Sequence, residues 1–454
     1  MTILTDLRSA IAPDRVLVDG PEFDAALHQF NGAVHIRPAV VVRCESAPDV
    51  QVAIRVAREH TIPLSVRGGA NDFWGRGLRS DGLVLDLSAM RAVRVDEDRR
   101  IATVEGGALS SDVVRAAEKA GLTAVTGTVG TVGIVGLTLG GGYGPLTGRF
   151  GLAADNLLGA QVVLADGALV DTDTEPDLLW ASRGGGGNFG VVTSARIQLH
   201  PVPVVVSGTI LYPVTQARSV LAGLHDILAG APDELTVDVG FLPGADGSPT
   251  VYVAPTWSGD VRRGDAPGGP VHTLTRLGTP VLADIAPVAR SVPLAATTAM
   301  FPFGRRGAIR TRMLPGISEP VGDVLERAAR NFSSPFSALL LHQFHGAPTR
   351  VPLDATAFAL REPHSMAELI ALWDNDSRPA DTVDTPHQRW LEHVHAALEP
   401  YAMPGGYVNL LGPESPDQIA QAYGANTARL LAIKRRFDPH GLFDATPLPP
   451  GCPE

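Results

Sequence analysis

Residues 66–77 read V-R-G-G-A-N-D-F-W-G-R-G and offer anion-binding chemistry. Gly68 and Gly69 lack a Cβ, so their backbone N–H groups can converge on one point and approach a phosphate, while Arg67 adds positive charge. A tight turn is the other reading of this stretch alone. Two more glycine-rich runs shift the balance towards a ligand. Residues 127–156 mix glycines with β-branched residues, a poor composition for a helix or an ordinary strand. A backbone kept bare lets something flat and large lie against it, and the recurring Val, Leu, Ile, Tyr and Phe exclude a polar linker. In the third run Gly185, Gly187 and Gly190 satisfy G-x-G-x-x-G. An alternating strand pattern at 191–199 follows where the dinucleotide fingerprint requires a helix, which argues against a Rossmann site.

Other chemistries find less support. His342 and His345 stand three apart in and after the strand-like run S-A-L-L-L-H-Q-F, which puts them on opposite faces, with no carboxylate or cysteine placed in sequence to complete a metal site. His393 and His395, two apart on a helix, fail similarly. Neither a G-x-S-x-G elbow nor a Walker A loop occurs. Cys44 and Cys452 are too few and too distant for a disulfide framework or metal cage. Acidic residues outnumber basic ones 48 to 37, a formal net charge of −11 that argues against nucleic acid or an anionic membrane as partner and makes any phosphate site local. Asp6 and Arg8 interrupt what would be the apolar part of a signal peptide, and no run reaches membrane-spanning length. A soluble, cytoplasmic protein is expected. Lys119 and Lys434 are the only lysines, a bias with no function attached to it by sequence.

The elements that must position these residues follow from periodicity. A buried strand at 40–43, a helix with Val50, Ala53, Ile54 and Ala57 on its apolar face, and a strand at 62–66 deliver the Arg67 loop at a carboxyl strand end, where ligands gather in open sheets. A strand at 83–87, hairpins over 93–104 and 162–171, and a helix at 111–120 complete an α+β unit. Beyond residue 200 the glycine signature ends and prolines divide short strand-like runs. In the clearest of these, Leu339, Leu341 and Gln343 share one face opposite Leu340, His342 and Phe344. Near the C-terminus, Tyr407-Val408-Asn409 precedes a helix expected to run from Ser415 to Phe437.

The ordered set V-R-G-G-A-N-D, T-V-G-I-V-G-L-T-L-G-G-G-Y-G, R-F-G-L-A-A-D-N, R-G-G-G-G-N-F-G-V-V-T, A-T-A-F, Y-V-N and K-R-R-F-D-P resembles the berberine bridge enzyme-like branch of the vanillyl-alcohol oxidase superfamily, and within it the 6-hydroxy-D-nicotine oxidase-like proteins. The resemblance spans nearly the whole chain. It implies an α+β fold: a PCMH-type FAD-binding domain of two α+β subdomains over residues 1–200, an antiparallel-sheet substrate domain over 201–404 covering the flavin, and a C-terminal segment, 405–454, returning to the first. Carried over by position, Arg67, Gly68, Gly69, Ala70, Asn71 and Asp72 would cradle the pyrophosphate. Val129, Gly133, Gly136, Gly140, Gly141 and Gly142 would line the cofactor, with Asp155 and Asn156 beside them. Gly190, Val191 and Val192 would lie near the adenosine half, Tyr407 at the reacting end of the flavin, and Asn409 at its other edge.

The family usually has a histidine at Asn71 that bonds covalently to the flavin, and some members have a cysteine at Val129. Neither a carboxamide nor a valine is a comparable nucleophile, so FAD is expected to be non-covalent. Ala70 stands where relatives have glycine and should fit if its φ is negative. The implied activity is an FAD-dependent oxidoreductase taking hydride from an alcohol or amine carbon of a small-molecule substrate to flavin N5, with dioxygen as acceptor, no metal, and a monomeric or homodimeric state. Tyr407 is the first catalytic candidate, followed by Gln343 and His342. The alternative is an enzyme with structural FAD that catalyses a non-redox cyclisation or addition. An FAD-free binding protein is the third reading.

Overall fold

The computed structural model describes residues 2–244, 246–374 and 380–451. Cys452 lies outside them; Cys44 is buried with a free thiol. Three sheets organise the described residues. In the first, strands Val40–Arg43 and Leu64–Arg67 each pair in parallel with Leu83–Asp86 between them, and helix Ala47–Glu59 makes the crossover. The runs Val40-Val41-Val42 and Leu83-Val84-Leu85 are buried, as strands covered on both faces must be. The Arg67 loop therefore leaves from the carboxyl edge of this sheet.

The second sheet is antiparallel around Val191–His200, which pairs with Ile101–Glu105 on one side and Leu157–Val163 on the other. Ala195, Ile197 and Leu199 alternate inward, and the C-terminal helix Thr427–Phe437 packs Leu430, Ile433 and Phe437 into the same core. The third sheet has seven antiparallel strands drawn from residues 205–373. Helices Ala217–Ala229, Glu319–Ala329 and Ala380–Leu398 cover one face of it. Its other face looks onto the first two sheets.

Two expectations are corrected. The glycine run 127–156 contains a helix, Ile134–Leu139, because Ile134, Val135, Thr138 and Leu139 bury one side against the second sheet and tertiary packing outweighs propensity. The expected long C-terminal helix is broken into Pro416–Gln421 and Thr427–Phe437, with Gly424 at φ +47 between them. No described helix is long and apolar enough to cross a membrane.

Candidate active site

Between the third sheet and the first two lies a cavity of about 400 Å3. Its first wall is mostly backbone. Gly68, Gly69, Gly133, Gly136, Gly187 and Gly190 line it together with Ala70, Val129, Val191 and Val192. The glycines do two different jobs. A Cβ on Gly69 would lie 2.3 Å from the Gly133 nitrogen, so Gly69 lets two loops touch. Among the described residues, a Cβ on Gly136 would meet no atom within 4 Å, and one on Gly68 only the Gly106 oxygen at 3.6 Å; those side chains would project into room that the described residues leave free. A wall kept bare next to an open cavity fits a bulky, anionic ligand whose phosphates meet backbone N–H groups. The buried Nε of Arg67, which has no hydrogen-bond partner among the described residues, fits it too.

Side chains in the loop hold it in shape. Asn71 donates to the carbonyls of Gly69 (2.8 Å) and Thr131 (2.6 Å), stitching the first glycine run to the second. Asp72 accepts from the Trp74 and Arg76 amides and from Arg76 Nε, while Arg76 Nη2 donates to the Asn409 carbonyl at 2.8 Å. Arg67 is paired with the buried Asp86 at 3.0 Å. The condition set for an alanine at position 70 is not met: Ala70 has φ +54, so the loop holds a non-glycine residue in the left-handed region.

Asp155 and Asn156 stand outside the cavity wall. Asp155 makes a two-point ion pair with Arg361 (2.8 and 2.9 Å) and accepts the Leu152 amide, and Asn156 ties down the Phe150 and Leu152 carbonyls. Gly140, Gly141 and Gly142 are also outside it, and they position the residues that do line it. A Cβ on Gly140 would lie 2.1 Å from Asn409 Oδ1. Gly142, at φ +86, donates its N–H to the Tyr407 hydroxyl at 3.0 Å.

The opposite wall is made of side chains. Tyr407 accepts that N–H and a second from Asn409 Nδ2 at 2.8 Å, so both lone pairs of its oxygen are engaged and its O–H remains to be donated. Burial raises its pKa to about 12, with the bonds from Asn409 and Gly142 pulling the other way. Tyr143 crosses Tyr407 edge-on, ring centroids 4.9 Å apart, and is oriented by His364. His364 Nδ1 donates to the Glu362 carbonyl, leaving Nε2 to accept from the Tyr143 hydroxyl at 2.7 Å, and burial holds that imidazole neutral with a pKa of about 4.

On the third sheet, Leu340, His342, Met366, Glu368 and Ile370 face the cavity from strands Ala338–Phe344 and His364–Trp373. His342 sits between two carboxylates, Nδ1 3.0 Å from Asp238 Oδ1 and Nε2 3.3 Å from Glu368 Oε2. The first contact is an aligned hydrogen bond, the second an ion pair without that alignment. Burial opposes charge on His342, yet Glu368 and Asp238 together carry its pKa well above the ordinary histidine value. Neither carboxylate is close to His342 in sequence; both come from neighbouring strands. Gln343 is corrected, because strand alternation turns it away from the cavity to accept the Val237 amide at 3.1 Å. His345 lies past the strand end, outside the wall. Sequence reading missed Arg76, Tyr143, Asp238 and Glu368. The available signal was a lone carboxylate inside each of two apolar strands, T-V-D-V and M-A-E-L.

Residues 38–173 match the FAD binding domain family, and residues 406–447 match the berberine and berberine-like family. The chain is 31% identical to (R)-6-hydroxynicotine oxidase of Paenarthrobacter nicotinovorans, over 96% of each protein, and 31% identical to the FAD-linked oxidoreductase YgaK of Bacillus subtilis, over 94% of each. The crystal structure of 6-hydroxy-D-nicotine oxidase from Arthrobacter nicotinovorans superposes with a TM-score of 0.83 at 29% identity, over 95% of this chain and 96% of that one. Berberine bridge enzyme from Eschscholzia californica, at 22% identity and full coverage of both chains, shares the fold with a TM-score of 0.86. With its bare glycine wall facing a wall of ionisable side chains, this chain belongs to the FAD-linked oxidoreductases of the berberine bridge enzyme-like family.

Proposed function

We propose that this FAD-linked oxidoreductase oxidises an alcohol or amine carbon of a small molecule and passes the electrons to dioxygen, with FAD held non-covalently. The observation that carries the reading is the meeting of Tyr407 and Glu368 in one cavity with the glycine wall. Bound FAD would supply a two-electron acceptor for the substrate's hydride, with dioxygen as the final oxidant and hydrogen peroxide as its product. The chain supplies binding and proton handling. Residues 67–71 and Gly133, Gly136 and Gly190 would hold the cofactor, and Asn71 offers no nucleophile to it because its carboxamide nitrogen is already donated to two carbonyls.

A phenol with a pKa of about 12 is protonated at neutral pH, so Tyr407 serves best as a donor that orients the substrate heteroatom. Glu368 is the proton acceptor we assign. The wall's other carboxylates, Asp72 and Asp444, are paired with Arg76 and Arg79, whereas Glu368 faces the cavity and its pairing is the unaligned 3.3 Å contact with His342. Loss of the O–H or N–H proton to Glu368 as the carbon gives up hydride leaves a carbonyl or an imine. The division into a cofactor unit (1–200 with 405–454) and a covering substrate unit (201–404) belongs to the same reading.

Oxygen-electrode assays of purified protein against panels of alcohols and amines test it. Oxygen consumed with stoichiometric peroxide is the expected result. Conversion of a panel member with neither oxygen uptake nor peroxide would overturn the assigned acceptor.

A further inference from the structure

Residues 443–446, beyond the last helix, line the first-sheet side of the cavity, away from Tyr407. Three sets of contacts hold them there. Lys434, only 1% exposed, donates Nζ to the Phe443 carbonyl at 2.6 Å, to the Asn188 carbonyl at 2.8 Å and to Asp438 Oδ2 at 2.5 Å. All three ammonium protons are used. Asp438, fully buried, accepts the Leu442 and Phe443 amides at 2.9 and 2.8 Å. Asn188 in turn donates to the Gly185 carbonyl, so one ammonium ties the third glycine run to the C-terminal segment. In the second set, the Gly187 N–H donates to Thr446 Oγ1 at 3.2 Å, and Gly186, at φ +75, comes so close that a Cβ there would lie 2.3 Å from Thr446 Cγ2. The third is an ion pair between Arg79 and Asp444, with side chains 32% and 56% exposed.

The inner anchor is therefore dry and the outer one wet. Burying an ammonium and a carboxylate costs several kcal/mol per ion before pairing, far more than ending a helix requires, since glycine does that at little cost. The fold spends this where the chain crosses the cofactor cavity. The exposed Arg79 pair is weak and screened by salt.

We propose that residues 443–446 form a strap that retains FAD, that Lys434 and Asp438 are its positioning residues, and that the Arg79–Asp444 pair is the latch released when cofactor exchanges. The inference rests on non-covalent FAD. Acid precipitation of the holoenzyme checks that first, and flavin left on the pellet would overturn both that reading and the strap.

With free flavin in the supernatant, the rise of FAD fluorescence after dilution of holoenzyme gives the release rate. Arg79→Gln and Asp444→Asn are each expected to speed release by about two- to fivefold, the worth of an exposed pair. Release from the parent should accelerate with salt, and release from these variants should not. Lys434→Met combined with Asp438→Leu removes both charges at once and should speed release at least about tenfold through the lost bonds to residues 442–443, with the far-UV spectrum unchanged. Should that variant fail to fold, the two latch variants decide. Parent-like release rates and parent-like salt dependence in both would overturn the strap while leaving non-covalent FAD intact.

Discussion

The two walls of the cavity are built from different material. The cofactor wall consists of backbone held open by glycines, and its shape depends on what is absent at Gly68, Gly69, Gly133 and Gly136. The substrate wall consists of charged and hydroxylated side chains, Tyr407, His342 and Glu368, whose positions depend on their neighbours Gly142, Asn409 and Asp238. A backbone wall recognises a constant ligand, because every chain has the same N–H groups. A side-chain wall can be altered one residue at a time without disturbing the other. Substitutions should therefore separate cleanly into those that lose FAD and those that keep FAD and lose turnover.

The largest effect is expected at Gly69. Gly69→Val drives a side chain into the backbone of Gly133, so the protein should retain no FAD, measured as flavin absorbance per polypeptide. Gly68→Ala sharpens the point, because the protein has room for that methyl group. It should fold normally yet bind FAD about one to two decades more weakly, the ordinary cost of overpacking. Equal FAD content in both variants and the parent would mean that this wall does not hold the cofactor.

On the other wall, Glu368→Gln should slow flavin reduction by about 10²–10⁴-fold and Tyr407→Phe by about 10²-fold, both with parental FAD content, as read by rapid-mixing absorbance. Loss of FAD from either would erase the distinction between the walls.

His342 gives a smaller, pH-dependent effect. Its folded pKa is raised, so its contribution to stability is complete below its unfolded value of about 6.5 and is lost as pH rises through the folded one. The melting-temperature gap between the parent and His342→Gln should be widest under mildly acidic conditions and close towards alkaline pH. A gap that widens instead would mean that His342 is neutral in the fold. The smallest effect is at Ala70, where glycine relieves a φ of +54 at some cost in chain entropy, for a net gain of up to about 1 kcal/mol by thermal melting.

The same contrast decides what could be read from the chain. Glycine runs are contiguous, so the loop at Gly68 and Gly69 and the stretch around Gly133 and Gly136 were visible as bare backbone before any fold was known, and all four line the cavity. The substrate wall is assembled across three strands, placing Asp238, His342 and Glu368, 130 positions apart at the extremes, on one face of a sheet. Strand alternation puts Gln343 and His342 on opposite faces without saying which face meets the cavity, and no local pattern pairs His342 with carboxylates from its neighbours. Asp155 and Asn156 were misplaced because proximity in sequence to a glycine run does not give proximity to the cavity; the turn at 151–156 points them at Arg361 and His200 instead. Lys434 looked like an unexplained rarity until the fold put it beneath the strap.

The most direct test of the central claim is anaerobic mixing of the holoenzyme with a substrate identified by the oxygen-uptake panels. The account predicts that the oxidised flavin absorbance bleaches in proportion to substrate consumed, that admitting air restores it with formation of hydrogen peroxide, and that Glu368→Gln bleaches slowly while binding FAD normally. Substrate conversion with the flavin absorbance unchanged throughout would contradict it and leave FAD a structural element of a non-redox enzyme.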